Sequence, residues 1–182
     1  MSVRVWVRRL LRPWRQDPVE RLRRLGMSIG TNFSIQPGVV LDESHAWLIS
    51  IGNDVTLAPR VVVLAHDAST KRALGYTRIG KVTIGDRVFI GSNAVILPGV
   101  CIGSDCIVGA GSVVTSDVGP GQVAVGNPAR VMALTHDYLI KRRGQLAEGP
   151  RFGHDYTLGG HITDAQKNEM NQCMAQRYGF VE

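Results

Sequence analysis

A chain of 182 residues, 44% hydrophobic and 20% charged, is long enough for one domain with a full core plus extra at its ends. Its net charge of +6 belongs to one end: residues 1–25 carry arginines at 4, 8, 9, 12, 15, 21, 23 and 24 against Asp17 and Glu20, while the remaining basic and acidic side chains cancel, so the body has no general attraction for nucleic acid. Three cysteines (Cys101, Cys106, Cys173) are an odd count without metal-ligand spacing, which argues against a disulfide framework or a thiolate metal centre.

The chain opens on "MSVRVWVRRLLRPW", where an arginine every few residues breaks any secretory apolar core. No run reaches the roughly 18 apolar residues needed to span a bilayer, and a cytoplasmic location is expected. Val3, Trp6, Val7, Leu10, Leu11 and Trp14 share one face of a basic helix. Such a helix either plugs one end of the fold or packs on a neighbour, and residues 1–15 would also suit peripheral contact with an anionic membrane. "DPVERLRRLG" predicts a second helix, with Asp17 as N-cap, Pro18 in the first turn, Glu20 closing a capping box and Gly26 as a stop. Residues 1–28 thus form a basic N-terminal helical segment.

From Ile29 a period of six sets in, weakly at first (IGTNFS, IQPGVV) and then as IGNDVT, LAPRVV, VLAHDA from Ile51. From Ile84 it runs unbroken as IGDRVF, IGSNAV, ILPGVC, IGSDCI, VGAGSV and VTSDVG. Position one is a branched aliphatic, and position five is small or apolar. Position four is polar or glycine, so it faces outward. The glycines common at position two are expected at corners that need unusual backbone angles. Neither a helix nor a half-buried strand has this period. Short strands joined by corners, three to a coil, make a mainly β parallel β-helix over residues 29–133. The pattern leaves its handedness open.

The stretch "VVVLAHDAST" interrupts this frame. His66 falls at the outward position four, and Asp67 at position five, where an unpaired carboxylate would be costly inside the wall. The wall is therefore expected to stop near His66 and to extrude residues 69–83 as a loop before restarting at Ile84. A histidine on a rigid wall at the root of a covering loop is well placed as a general base. Its second nitrogen needs a partner to fix the tautomer. Asp42, Glu43 and Asp67 are candidates among which the sequence does not choose, and Asp67 stands beside His66 as the candidate catalytic pair. A backbone N–H near Gly91 and Ser92 is the expected oxyanion donor. Cys101 and Cys106 have no histidine beside them in the frame and read as packing rather than as nucleophiles, so any group transfer at this site is expected to be direct.

The block "IGDRVFIGSNAVILPGVCIGSDCIVGAGSVVTSDVGPGQVAVGNPARVM" (residues 84–132) resembles the hexapeptide-repeat acyltransferases, in the maltose and galactoside O-acetyltransferase branch with its polysaccharide-modifying relatives. The resemblance implies a left-handed prism, a homotrimer with active sites between subunits, and a catalytic histidine at the point matching His66. It implies acetyl-CoA as co-substrate, with Ser92, Ala110, Thr115 and Ser116 along the pantetheine arm and Arg130 as the nearest charge for the phosphates. Where the family often has lysine this chain has Ser116, and "IQPG" replaces a segment in which galactoside-specific members use asparagine. The expected acceptor is the hydroxyl of a sugar, as a small molecule or oligosaccharide, in surface polysaccharide synthesis. N-acetylation of an amino sugar and a non-catalytic interaction prism are the alternatives. No metal is expected, since residues 29–132 hold only His45 and His66, too few for the zinc-binding triad of a γ-type carbonic anhydrase.

After Met132 the frame is lost, and residues 134–182 read as an irregular extension. Its one predicted helix lies in "TDAQKNEMNQCMAQRYG", with Thr163 and Gln166 as a capping box. His136, His154 and His161 are assigned no role.

Overall fold

The computed structural model describes residues 17–175 and 178–182. The amphipathic face expected over residues 1–15 lies outside that range. Two compact units divide the chain, the first running to Thr135 and the second from His136 to Glu182.

The first unit is a parallel β-helix with three walls of two- and three-residue strands. One wall stacks Ser28–Ile29, Ile49–Ile51, Val82–Ile84 and Cys101–Ile102. The second stacks Ser34–Ile35, Thr56–Leu57, Phe89–Ile90, Ile107–Val108 and Gln122–Gly126. The third stacks Val40–Leu41, Val62–Val63, Val95–Ile96 and Val113–Val114. Ala129–Leu134 closes the second wall as an antiparallel strand.

The hexapeptide positions do what their chemistry requires. Position one (Leu57, Val63, Ile84, Ile90, Ile96, Ile102, Val108) and position five (Val55, Val61, Val88, Ala94, Cys106, Ser112) are at most 1% exposed. Each large aliphatic so buried contributes roughly 1.5–3 kcal/mol over the exposed state. The hydroxyl of Ser112, buried inside the prism, accepts from the Gly126 N–H at 3.0 Å.

The corners are built differently from the expectation. Left-handed backbone falls on position four: Asn32, Asp54, Arg60, Arg87, Asn93 and Asp105 have φ between +52° and +61°, and Gly38, Gly99 and Gly111 share that region. Asparagine and aspartate tolerate it through local hydrogen bonds. The two arginines are less suited to it and are tied between coils, Arg60 to Asn93 at 2.8 Å and Arg87 to both oxygens of Asp105 at 2.7 Å. The position-two glycines serve close approach instead. A Cβ on Gly91 would stand 2.5 Å from the Ala110 nitrogen, and one on Gly85 2.6 Å from that of Ser104.

Register exposes the interruptions. Phe89 lies opposite Ile107, one regular coil of eighteen residues on. Val40 lies opposite Val62, twenty-two on, and Val62 opposite Val95, thirty-three on. Four extra residues therefore enter before Ile49 and fifteen before Val82, both where the third wall passes to the first. The shorter insertion is taken up by a 3-10 segment, Glu43–Leu48. The longer one is a ribbon pairing His66–Asp67 antiparallel with Arg78–Ile79, with a one-turn helix at Lys71–Leu74. Val82 and Thr83, expected in the loop, already belong to the wall because Val82 is fully buried there.

At the start, helix α1 (Pro18–Arg24) is capped by the Asp17 carboxylate accepting from the Val19 N–H, and Gly26 leaves it at φ +96°. Glu20 closes no capping box; it is drawn to Arg23 at 2.6 Å. In the second unit Arg151–Phe152 pairs with Phe180–Val181. The extension is less irregular than expected, since Thr135–Glu148 forms α2. Asp164–Cys173 is α3, with the expected capping box of Thr163 and Gln166.

Candidate active site

Both insertions leave the same corner, so residues far apart in sequence meet there. Asp42 follows the strand Val40–Leu41, and its N–H donates to the Val63 carbonyl of the next coil at 3.0 Å. It then N-caps the 3-10 segment, Oδ1 accepting from the Ser44 N–H at 3.1 Å. Its Oδ2 accepts from the Ala65 N–H at 3.0 Å and contacts His66 Nδ1 directly. Asp42 is only 6% exposed, whereas the His66 side chain keeps about a third of its surface (34%) in solvent. Burial pushes the Asp42 carboxyl up, but the His66 and Ala65 hydrogen bonds and the charges of His66 and His45 outweigh it and hold the group below its ordinary value. A carboxylate so placed favours the tautomer with its proton on Nδ1, the arrangement in which Nε2 carries the free lone pair.

Of the three candidate partners it is Asp42 that faces the imidazole. Asp67 follows His66 along a two-residue strand, where successive side chains diverge. Its carboxylate accepts from the Ser69 N–H at 2.9 Å. Glu43 pairs with Arg21. A groove of about 390 Å³ opens beside the histidine, lined by Leu64, His66, Asp67, Arg78, Leu97 and Pro98.

The sequence reasoning missed His45 and Trp47. The His45 ring lies 5.1 Å from that of His66 and 5.6 Å from that of Trp47, which is 62% exposed. His45 Nδ1 is buried without a hydrogen-bond partner. The available signal was spacing: the frame begun at Ile29 predicts a start at residue 47, yet the next start is Ile51. Among the described residues, Asp42, His45 and His66 each bring one metal-ligating atom within 4.8 Å of the others.

Four of the five residues expected to line the co-substrate fall on two corners. Thr115 and Ser116 are exposed and follow Val113–Val114, on the corner of His66 and further along the prism. Ser92 and Ala110 follow strands of the second wall and are adjacent at the next corner, where the Ser92 carbonyl accepts from Gly111 at 2.8 Å. Arg130 is exposed on the closing antiparallel strand, its guanidinium donating to the Ala129 carbonyl. Of the backbone N–H groups near Gly91 and Ser92 among which the oxyanion donor is expected, that of Gly91 already donates to the Val108 carbonyl at 2.8 Å. Cys106 is packed as expected, but Cys101 is exposed on its wall.

Residues 81–116 match the bacterial transferase hexapeptide (six repeats) family model. The chain is 36% identical over 127 residues to galactoside O-acetyltransferase of Escherichia coli, an alignment covering 68% of this chain and 62% of that enzyme. It is 39% identical over 124 residues to a Bacillus subtilis protein named putative acetyltransferase YvoF, covering 68% of this chain and 69% of that one. The chain belongs to the hexapeptide-repeat acetyltransferase family. Its fold is accordingly the left-handed parallel β-helix. The hexapeptide-repeat acetyltransferase VCA0836 of Vibrio cholerae, solved in complex with acetyl-CoA, superposes with a TM-score of 0.54 at 27% identity, over 69% of this chain and 82% of that one.

Proposed function

We propose that this protein is an acetyl-CoA-dependent O-acetyltransferase acting on a sugar hydroxyl in surface polysaccharide synthesis, working in the cytoplasm as a homotrimer with active sites between neighbouring subunits. The observation that carries the reading is the Asp42–His66 pair at the prism corner, a buried carboxylate holding a half-open imidazole beside a groove. The donor is argued from the acetyl-CoA complex of the Vibrio relative, and the acceptor class from the name of the Escherichia coli relative. Exposed Phe89 and Val40 on outer wall faces support association with further copies.

The chemistry asks little more of the chain. His66 Nε2 accepts the proton of the sugar hydroxyl as its oxygen bonds to the thioester carbonyl carbon. Asp42 stabilises the imidazolium so formed. When the carbon–sulfur bond breaks, His66 returns the proton to the departing thiolate, giving an acetyl ester and free coenzyme A. A thiol-release assay with acetyl-CoA and a panel of sugars, comparing wild type with His66→Ala, tests this. Sugar-dependent release that vanishes in the variant is expected, and equal rates for both proteins would overturn the role of His66.

A further inference from the structure

Asp42 caps and His45 lies within the 3-10 segment of the shorter insertion, while His66 stands at the root of the longer one, so three ligating side chains converge at two separate breaks in the repeat. One donor atom from each lies within 4.8 Å of the other two. Ligands bound at 2.0–2.2 Å to a tetrahedral zinc ion stand roughly 3.3–3.5 Å apart, so closing this set on an ion asks for shifts of about an ångström.

The individual donors fit. Asp42 Oδ1 accepts one hydrogen bond, from Ser44, and a carboxylate oxygen has room for a second interaction. His45 Nδ1 is buried with no partner, a lone polar atom that nothing in the site described so far satisfies. His66 offers Nδ1, the nitrogen that faces Asp42; the ion replaces the proton held between them, which leaves to solvent. The ring is open enough to leave a fourth position to water, as in sites with three protein ligands. Two imidazoles and one carboxylate suit zinc, nickel or copper rather than magnesium or calcium, which take all-oxygen shells.

We propose that Asp42, His45 and His66 form a binding site for a divalent transition-metal ion of the zinc class, and that occupancy of this site inhibits the enzyme by withdrawing His66 from proton transfer. The inhibitory half rests on the base role argued for His66, whereas the binding half stands on the donor geometry alone.

The test uses tag-free full-length protein stripped of metal. Zn²⁺ is titrated by calorimetry, and Co²⁺ is followed by the visible bands of tetrahedral coordination. His45→Phe keeps a ring between His66 and Trp47 but removes both nitrogens, and His45→Ala removes the ring as well. The site predicts a cobalt spectrum in the wild type, undisturbed by excess Mg²⁺, and affinity for Zn²⁺ weakened at least tenfold in both variants. Superimposable zinc titrations of wild type and His45→Phe would overturn it. In the thiol-release assay, each protein referred to its own metal-free rate, half-inhibition by Zn²⁺ should shift by the same factor. Tight binding without inhibition overturns the regulatory half. A wild type that releases no thiol sinks the acetyl-transfer reading instead, while the titrations still decide the metal site.

Discussion

Asp42 and His66 are 24 residues apart in the chain yet touch, because Leu41 and Val63 are register partners in adjacent coils of one wall. The repeat brings the two strands together, and the two insertions release the side chains at their ends. Without the insertions both positions would be ordinary corners of the prism.

That pairing sets the first expectation. His66→Ala removes the base and should lower kcat by roughly 10²–10⁴-fold. Asp42→Asn keeps the shape but can turn an amide N–H towards Nδ1, favouring the wrong tautomer of His66. Its kcat should fall by about 10²-fold with little change in KM for the acceptor, measured by steady-state kinetics. A fully active Asp42→Asn enzyme would show that the carboxylate does not orient the ring.

Asp42 also predicts how stability follows pH. Its carboxyl is held below the ordinary value of 3.8 in the folded chain, so at pH values between the two the unfolded chain binds more protons and stability rises with pH. The contribution is complete above 3.8 and is lost as the pH falls through the lowered folded value. Urea midpoints should therefore place Asp42→Asn below wild type at neutral pH, with the gap narrowing in acid. A gap that stays constant into acid would mean the carboxylate gains nothing from its partners.

The prism was legible in the sequence because its requirement is one-dimensional: an inward aliphatic every six residues, visible without any long-range information. His66 was legible as the break in that rhythm. Its partner was not. Asp67 is nearer in sequence, but alternation along a strand sends it away, and only coil stacking reveals that Asp42 lies behind the ring. The position-two glycines stand out in the sequence but their cause does not, because a close approach between coils leaves the same residue as a left-handed turn does. The helix Thr135–Glu148 escaped because it buries no residue and so carries no strong apolar stripe.

The two kinds of corner glycine should separate under mutation. Gly91→Ala places a methyl 2.5 Å from the Ala110 backbone nitrogen and forces two coils apart. A loss of roughly 1–3 kcal/mol or more is expected. Gly111 has φ +70° with open space around its Cβ direction, so Gly111→Asn meets no atom and matches the asparagines already at position four. It should change stability by less than about 1 kcal/mol. Denaturant melts of the two variants check the assignment, and equal losses would refute it.

Cysteine chemistry gives the last expectation. Cys106 lies inside the prism with Sγ 2.9 Å from the Gly119 carbonyl, and burial pushes its thiol up, away from the reactive thiolate. Cys101 is exposed on the first wall, and among the described residues the hydrogen-bond partner of the His66 ring is Asp42 rather than a sulfur. A covalent route would need one of these sulfurs to take the acetyl group from the thioester and pass it to the acceptor. Direct transfer needs neither. Cys101→Ser combined with Cys106→Ala should then keep kcat within about twofold of wild type, beside a stability loss of roughly 1 kcal/mol for the vacated interior volume. Quenching the wild-type reaction within the first turnover and weighing the intact protein should give no acetylated species. An acetyl adduct that disappears with either substitution, together with a loss of activity of order 10²-fold, would replace direct transfer by a two-step mechanism.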